Sequence, residues 1–385
     1  MTGSPPVVWV LVAELSRTGV PVVLERSLRW LDPAARAGVH VIAGRGGPVG
    51  DGLRAAGVDV VELGPPVGRS LPGGVAATLD TVGAAGAGRW VRRGAGRLSL
   101  RSFPAPDVVL VHGAGGIPLM MLVPERVPVV VHLHELPTGL ARSGDPALVR
   151  AVLQRATSVL AVAGPTAALA VDAGAAPDRV VLVPGVVEGV APVDRVAARR
   201  RARAVLGLGD GTPVVGGAGR PGWRKGTGRL PALAHELQRR LDGTAVVWVG
   251  GRPAGAEADW VGAPDGVRWI DERPDPWSVL GAADVVVVPS REDPLPLVAL
   301  EAGQHGIPVV GTATGGLPDL LADGRGAVVG THDLAGLVAG LESFLRDPDR
   351  AASAGAGLRD HVAEHHDVDV VGPRWWGHVT GAAGR

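Results

Sequence analysis

The chain has 385 residues, 46% of them hydrophobic, and its 38 basic residues are matched by 38 acidic ones. That length points to two domains rather than one core, and the balanced charge leaves no overall field to draw the protein to nucleic acid. There is no cysteine, which removes disulfides and thiolate metal sites and fits a reducing compartment. The 59 glycines and 33 prolines approach the composition of disordered chains, but regular apolar runs mark a globular protein. No run of about 18 apolar residues occurs and the N-terminal MTGSPP lacks a basic region, so the expected location is cytoplasmic. Lys225 is the sole lysine; in a chain that otherwise uses arginine, it carries more information than any single Arg.

Apolar runs of four to seven residues recur along the chain, many separated by segments of helical length. The first half offers strands at Val7 to Ala13, Val39 to Ala43, Val58 to Leu63, Val108 to Val111, Val129 to Leu133, Ser158 to Val162 and Val180 to Val183. The second offers Pro213 to Ala218, Ala245 to Val249, Val267 to Ile270, Val285 to Val288, Ile307 to Val310 and Ala327 to Val329. This βα repeat predicts an α/β chain of two Rossmann-like parallel-sheet domains, divided within Gly185 to Val193.

In open α/β sheets ligands bind beyond the carboxyl ends of the strands, so those segments are where chemistry is sought. After the first strand comes ELSRTGVP, where Gly19 lets backbone approach a ligand, or simply makes a turn. After Val129 to Leu133 come His134 and Glu135, with His132 on the same strand face as His134. No third ligand at a recognisable spacing accompanies that H-x-H pair, so it is read as hydrogen-bonding histidine and no metal is assigned. The first strand of the second half runs into GAGRPGWRKGTG. Its glycines keep the backbone uncrowded, and Arg220 and Lys225 place two cations at the mouth of the sheet, which suits a diphosphate. It is neither a Walker loop nor a dinucleotide fingerprint.

The stretch from Asp284 to Leu320 holds a strand buried on both faces, a charged turn, a helix over Leu297 to His305 ending at Gly306, a second strand and a Gly-Gly loop. Glu301 lies in that helix among Leu297, Val298, Leu300 and Ala302. Two readings stand open: a carboxylate on an outer solvated face, or a partly buried one that needs partners. Arg89-Trp90-Val91-Arg92-Arg93, continuing to Arg97 and Arg101, is read as a solvated helix face in preference to a segment on an anionic membrane surface. His365-His366-Asp367-Val368-Asp369 and Asp347-Pro348-Asp349 are short matches that follow no predicted strand, and both are rejected as metal sites.

From ELSRTGVP through HLHEL and GRPGWRKG to SREDPLPLVALEA and TGGLPDL, the chain resembles family 4 glycosyltransferases of the GT-B fold; the last three motifs are the specific ones. The resemblance implies two Rossmann-like domains facing a central cleft: an acceptor-side domain over 1–188, a sugar-nucleotide domain over 189–366, and a segment 367–385 crossing back to the first. It implies a retaining, metal-independent transferase acting on a nucleotide-diphosphate sugar as co-substrate and a hydroxyl acceptor, with no bound cofactor. Any peripheral membrane contact would lie at the inner face, and no oligomeric state follows. By the same resemblance, Arg220 and Lys225 match the pair that stabilises the departing diphosphate. Asp293 and Glu301 stand where the family has two Glu separated by seven residues. Glu301 would bind the nucleotide ribose and Asp293 the donor sugar, with Asp one methylene shorter than the usual Glu. Leu295, Pro296 and Leu297 would bring backbone N–H groups to the diphosphate, and His134 would stand near the transferred sugar. Gly19 would belong to the closing loop, and Gly315 and Gly316 match the Gly-Gly turn before Asp319. PGVVE at Pro184 to Glu188 departs from the usual P-N-G-V-D. Two alternatives share these residues: a nucleotide-sugar epimerase, and a sugar-nucleotide-binding protein without catalysis.

Overall fold

The structure is a computed structural model that describes residues 5–64, 98–189, 194–254 and 266–384. The basic segment from Arg89 to Arg97 and part of the Gly185 to Val193 boundary lie outside the described residues. The chain divides into two compact units, one of Met1–Pro184 with Gly372–Arg385 and one of Gly185–Val371. The division falls four residues before the expected 188 because Val187 bridges to Asp367 and the Gly185 carbonyl is 3.1 Å from His366 Nδ1. Those contacts tie residues 185–187 and 366–367 to the second unit. Gly372 packs on the Trp30 ring and Arg374 donates to the Leu182 carbonyl at 3.0 Å, so the C-terminal residues from 372 onward belong with the first.

The first unit holds β1 (Val8–Glu14), β2 (Val39–Arg45), β3 (Asp59–Glu62), β4 (Val108–His112), β5 (Val129–Leu133), β6 (Ser158–Ala161) and β7 (Val180–Leu182). They form one parallel sheet in the order β3-β2-β1-β4-β5-β6-β7. The second holds β8 (Val214–Ala218), β9 (Ala245–Val249), β10 (Val267–Ile270), β11 (Val285–Val288), β12 (Val309–Thr312) and β13 (Gly326–Val329), parallel in the order β10-β9-β8-β11-β12-β13. Each is a doubly wound Rossmann-like sheet whose order reverses beside its first strand, between β1 and β4 and between β8 and β11.

The four valines of β11 show why so apolar a run forms a strand. Val286 and Val288 enter one core cluster and Val285 and Val287 another, on opposite faces of the sheet. Each buried valine contributes roughly 1.5–3 kcal/mol relative to exposure. The strand expected at Ile307 to Val310 instead runs Val309–Thr312. Pro308 has no N–H for the ladder and contributes only its carbonyl, which accepts from Val286. Among the described residues no helix is long and apolar enough to cross a membrane.

Candidate functional site

In the second unit the segments after β8 and β11 rise side by side at the reversal of strand order, because these strands are paired neighbours. They are joined through backbone. The Arg224 carbonyl accepts from the N–H groups of Arg291 (2.7 Å) and Glu292 (3.2 Å). The Arg291 guanidinium donates to the Trp223 carbonyl at 3.0 Å and lies 5.7 Å from the centre of its ring. Gly226 makes the approach possible: it has φ +67°, and a Cβ there would stand 1.9 Å from the Pro289 carbonyl oxygen.

This junction brings Lys225 Nζ to 2.6 Å from Asp293 Oδ2. Asp293 is only 4% exposed; its N–H donates to Thr314 Oγ1 at 3.1 Å, and Ser290 Oγ is 3.4 Å from the same carboxylate oxygen. The Gly-Gly turn closes over it from β12. Gly315 has φ +54°, and a Cβ would come within 2.1 Å of the Asp293 carbonyl oxygen, while Gly316 N–H donates to the Pro294 carbonyl at 2.7 Å. Arg220 is exposed on the same loop as Lys225, and Asp319 is exposed in the short Leu317–Leu320 helix.

The helix after β11 runs Leu297–Gln304 with Pro296 at its N-cap and no side-chain cap. Pro294 and Pro296 carry no N–H, so the backbone donors here come from Leu295, Leu297 and Val298, and Pro296 supplies only a fixed φ. Glu301 is partly buried, and Trp277 Nε1 donates to its Oε2 at 3.0 Å. Trp277 stacks on His305 with ring centres 4.2 Å apart. Burial holds the His305 imidazole below its ordinary pKa, and Arg195 lowers it further. Of the two open readings of Glu301, the structure gives the partnered one, and Trp277 is a partner that spacing along the chain did not reveal.

In the first unit Gly19 opens the Gly19–Trp30 helix after β1. β4 ends on His112, whose Cα is in register with that of His132 on β5, and His134 follows just past the strand. The three rings pack together, with centres 5.1 Å (His112–His132), 4.5 Å (His112–His134) and 4.1 Å (His132–His134) apart. Burial lowers the His112 pKa to about 4. His132 and His134 lie well below the ordinary value, through burial first and then mutual repulsion. All three are neutral at pH 7. The third histidine was missed because it lies twenty residues from the H-x-H pair; the available signal was that VVLVH and VVVHL are adjacent strand candidates that both place His at a carboxyl end. The rejected acidic matches have structural roles: Asp347 caps the Pro348–His365 helix, and His366 is buried against the Gly185 carbonyl.

Two family models match: "Glycosyl transferase 4-like domain" over residues 2–185 and "Glycosyl transferases group 1" over 198–360. The chain is 38% identical over 222 residues to a D-inositol 3-phosphate glycosyltransferase of Stackebrandtia nassauensis, a match covering 51% of this chain and 48% of that one. It is 34% identical over 303 residues to a GDP-mannose-dependent alpha-(1-6)-phosphatidylinositol monomannoside mannosyltransferase of Mycolicibacterium smegmatis, covering 70% of this chain and 75% of that one. The matched region thus spans about half the length of the first of these relatives. Among solved structures, Anabaena Alr3699/HepE in complex with UDP-glucose superposes with a TM-score of 0.75 over 97% of this chain and 99% of that one, at 16% identity. WaaG, a glycosyltransferase involved in lipopolysaccharide biosynthesis, gives 0.69 over 97% and 99%, at 18%. At these identities the superpositions establish the fold, which is GT-B.

Proposed function

The chain belongs to the family 4 glycosyltransferases, and on that basis we propose that it transfers a sugar from a nucleotide-diphosphate sugar to an acceptor hydroxyl with retention of anomeric configuration. The observation that carries this reading is the Lys225–Asp293 contact of 2.6 Å, assembled at the carboxyl ends of the two strands where the sheet order reverses.

In this reading Lys225 and Arg220 meet the charge that develops on the diphosphate as the glycosidic bond breaks. The N–H groups of Leu295, Leu297 and Val298 at the helix N-terminus add to that stabilisation. No metal is needed on the diphosphate, so transfer persists when Mg²⁺ is omitted. Glu301, oriented by Trp277, takes the ribose hydroxyls. Asp293 is the counter-ion of Lys225; once diphosphate takes up the Lys225 charge, its carboxylate is released toward the sugar hydroxyls. The shorter Asp sets the sugar closer to the backbone than Glu would. For the first unit the family resemblance alone assigns Gly19 to a closing loop and His134 to the transferred sugar. The acceptor hydroxyl attacks on the face from which the diphosphate departs, and a leaving-phosphate oxygen takes its proton.

The M. smegmatis relative is GDP-mannose-dependent and the Anabaena structure holds UDP-glucose, so GDP- and UDP-hexoses head the donor panel. A donor that binds the folded chain raises its melting temperature in proportion to the logarithm of its concentration over Kd. The stabilising donor is then assayed for transfer with the wild type, Lys225→Ala and Glu301→Ala. Wild-type rates in both variants would overturn the assignment.

A further inference from the structure

We propose that the first unit carries a zinc site made by His112, His132 and His134. It does not rest on the transfer reading above.

One nitrogen from each imidazole can be chosen so that all three lie within 4.8 Å of one another. His112 Nε2 is 3.0 Å from the Val20 carbonyl oxygen and His132 Nε2 is 3.3 Å from that of Val183. A carbonyl only accepts, so in both rings Nε2 carries the proton and Nδ1 presents a lone pair. Those Nδ1 atoms, with Nε2 of His134, are buried and have no hydrogen-bond partner among the described residues. Native proteins rarely leave such atoms unsatisfied, and a bound ion is one of the few partners that satisfies three lone pairs at once. Three apolar side chains would fill the same space without that cost.

The donor set selects the metal. Three neutral imidazoles with no thiolate or carboxylate suit zinc, which takes Zn–N bonds of about 2.0–2.1 Å. Tetrahedral bonds of that length put the nitrogens about 3.3 Å apart, so a pair at the 4.8 Å limit would draw in by about 1.5 Å as the ion binds. The backbone carbonyls of Val20 and Val183 are the outer partners that zinc-bound histidines ordinarily have, fixing tautomer and ring plane. His112 and His132 are fully enclosed while His134 is partly exposed, so the ion would enter past His134 and keep a fourth position for water, as open zinc sites do. Because Val20 directly follows Gly19, the same ion would brace the first turn of the Gly19–Trp30 helix.

The test uses the full-length chain, stripped of metal and titrated with Zn²⁺ calorimetrically. The expected result is binding of one zinc per chain, with a clear 1:1 end point in the titration. His112→Gln is expected to weaken it at least 100-fold, while His361→Gln/His365→Gln, which removes a surface pair, leaves it unchanged. A folded wild type that binds no zinc, or binding retained in His112→Gln, overturns the proposal. Because His112 is buried and its variant could unfold, zinc-edge X-ray absorption on the wild type supplies a second reading. Three imidazole ligands support the site, and two or fewer overturn it.

Discussion

The strand β11 begins one residue after Asp284, and Asp293 stands five residues past its end. These carboxylates at the two ends of one strand are held in contrasting ways. Asp284 accepts from Arg199 (2.8 Å), from Arg203 (3.0 Å) and from the Val214 N–H (2.8 Å). Arg203, 1% exposed, also donates from Nη1 to the carbonyls of Gly209 and Asp210. Every contact there is internal, and the cluster pins the Arg195–Leu206 helix to the sheet. Asp293 has one cation, Lys225, whose side chain is 26% exposed and sits on a glycine-rich loop. The multiply bonded end holds the fold together; the sparse end, at the carboxyl edge where ligands enter, keeps its charge available.

Removing each carboxylate or its partner separates the two roles. Asp284→Ala strips two arginines of their acceptor, one of them deeply buried, and should cost about 3–5 kcal/mol of stability. Urea unfolding measures it, and transfer per folded molecule should change less than twofold. A loss below about 1 kcal/mol would mean that the cluster is not the clamp its geometry describes. Lys225→Ala should act in the opposite sense, lowering the transfer rate about 10²–10³-fold, the size of one lost oxyanion-type donor. It also leaves Asp293 buried without a counter-ion. Adding Asp293→Asn should recover much of that stability without recovering transfer, a separation that a purely structural ion pair would not give.

A buried group with no counter-charge extends the comparison. His366 is 7% exposed, donates to the Gly185 carbonyl from Nδ1 at 3.1 Å, and burial lowers its pKa to about 4. The folded state therefore resists protonation while the unfolded state, near 6.5, accepts it. The associated stability is fully present above pH 6.5 and is lost as pH falls toward 4, about 3 kcal/mol in all. His366→Asn keeps an amide donor near Nδ1 and does not titrate. Between pH 7 and 4.5 its stability should fall by about 2 kcal/mol less than that of the wild type; parallel pH profiles would exclude His366 as a source of acid sensitivity.

The strands were legible because β-branched runs bounded by Gly and Pro say nearly all that a doubly buried strand requires, and the one clear displacement, at β12, traces to the missing N–H of Pro308. Lys225 and Asp293 were legible as a pair of motifs, through the lone lysine and the spacing to Glu301. Their contact was not, since it depends on β8 and β11 being neighbours and on Gly226 tolerating the Pro289 carbonyl. His112 and Trp277 escaped for the same reason. Each meets its partner only once the chain is folded: His112 through the β4–β5 register, and Trp277 across 24 residues of sequence.

Trp277 gives the smallest effect and the finest separation. Its indole holds one oxygen of Glu301 and stacks on His305; Trp277→Phe keeps a ring for the stack and removes the donor. A hydrogen bond to a charged group contributes about 1.5–3 kcal/mol when intact, and water reaching the partly exposed carboxylate recovers part of it. The expected outcome is a rise in donor KM of roughly tenfold, about 1.4 kcal/mol, with kcat within twofold, because the ribose is bound equally in ground and transition states. Glu301→Ala should raise KM further in the same direction. Were kcat to fall as far as KM rises, Glu301 would be acting on the diphosphate chemistry rather than on the ribose, and the division between a binding carboxylate in the helix and a charge-bearing pair at the strand end would have to be redrawn.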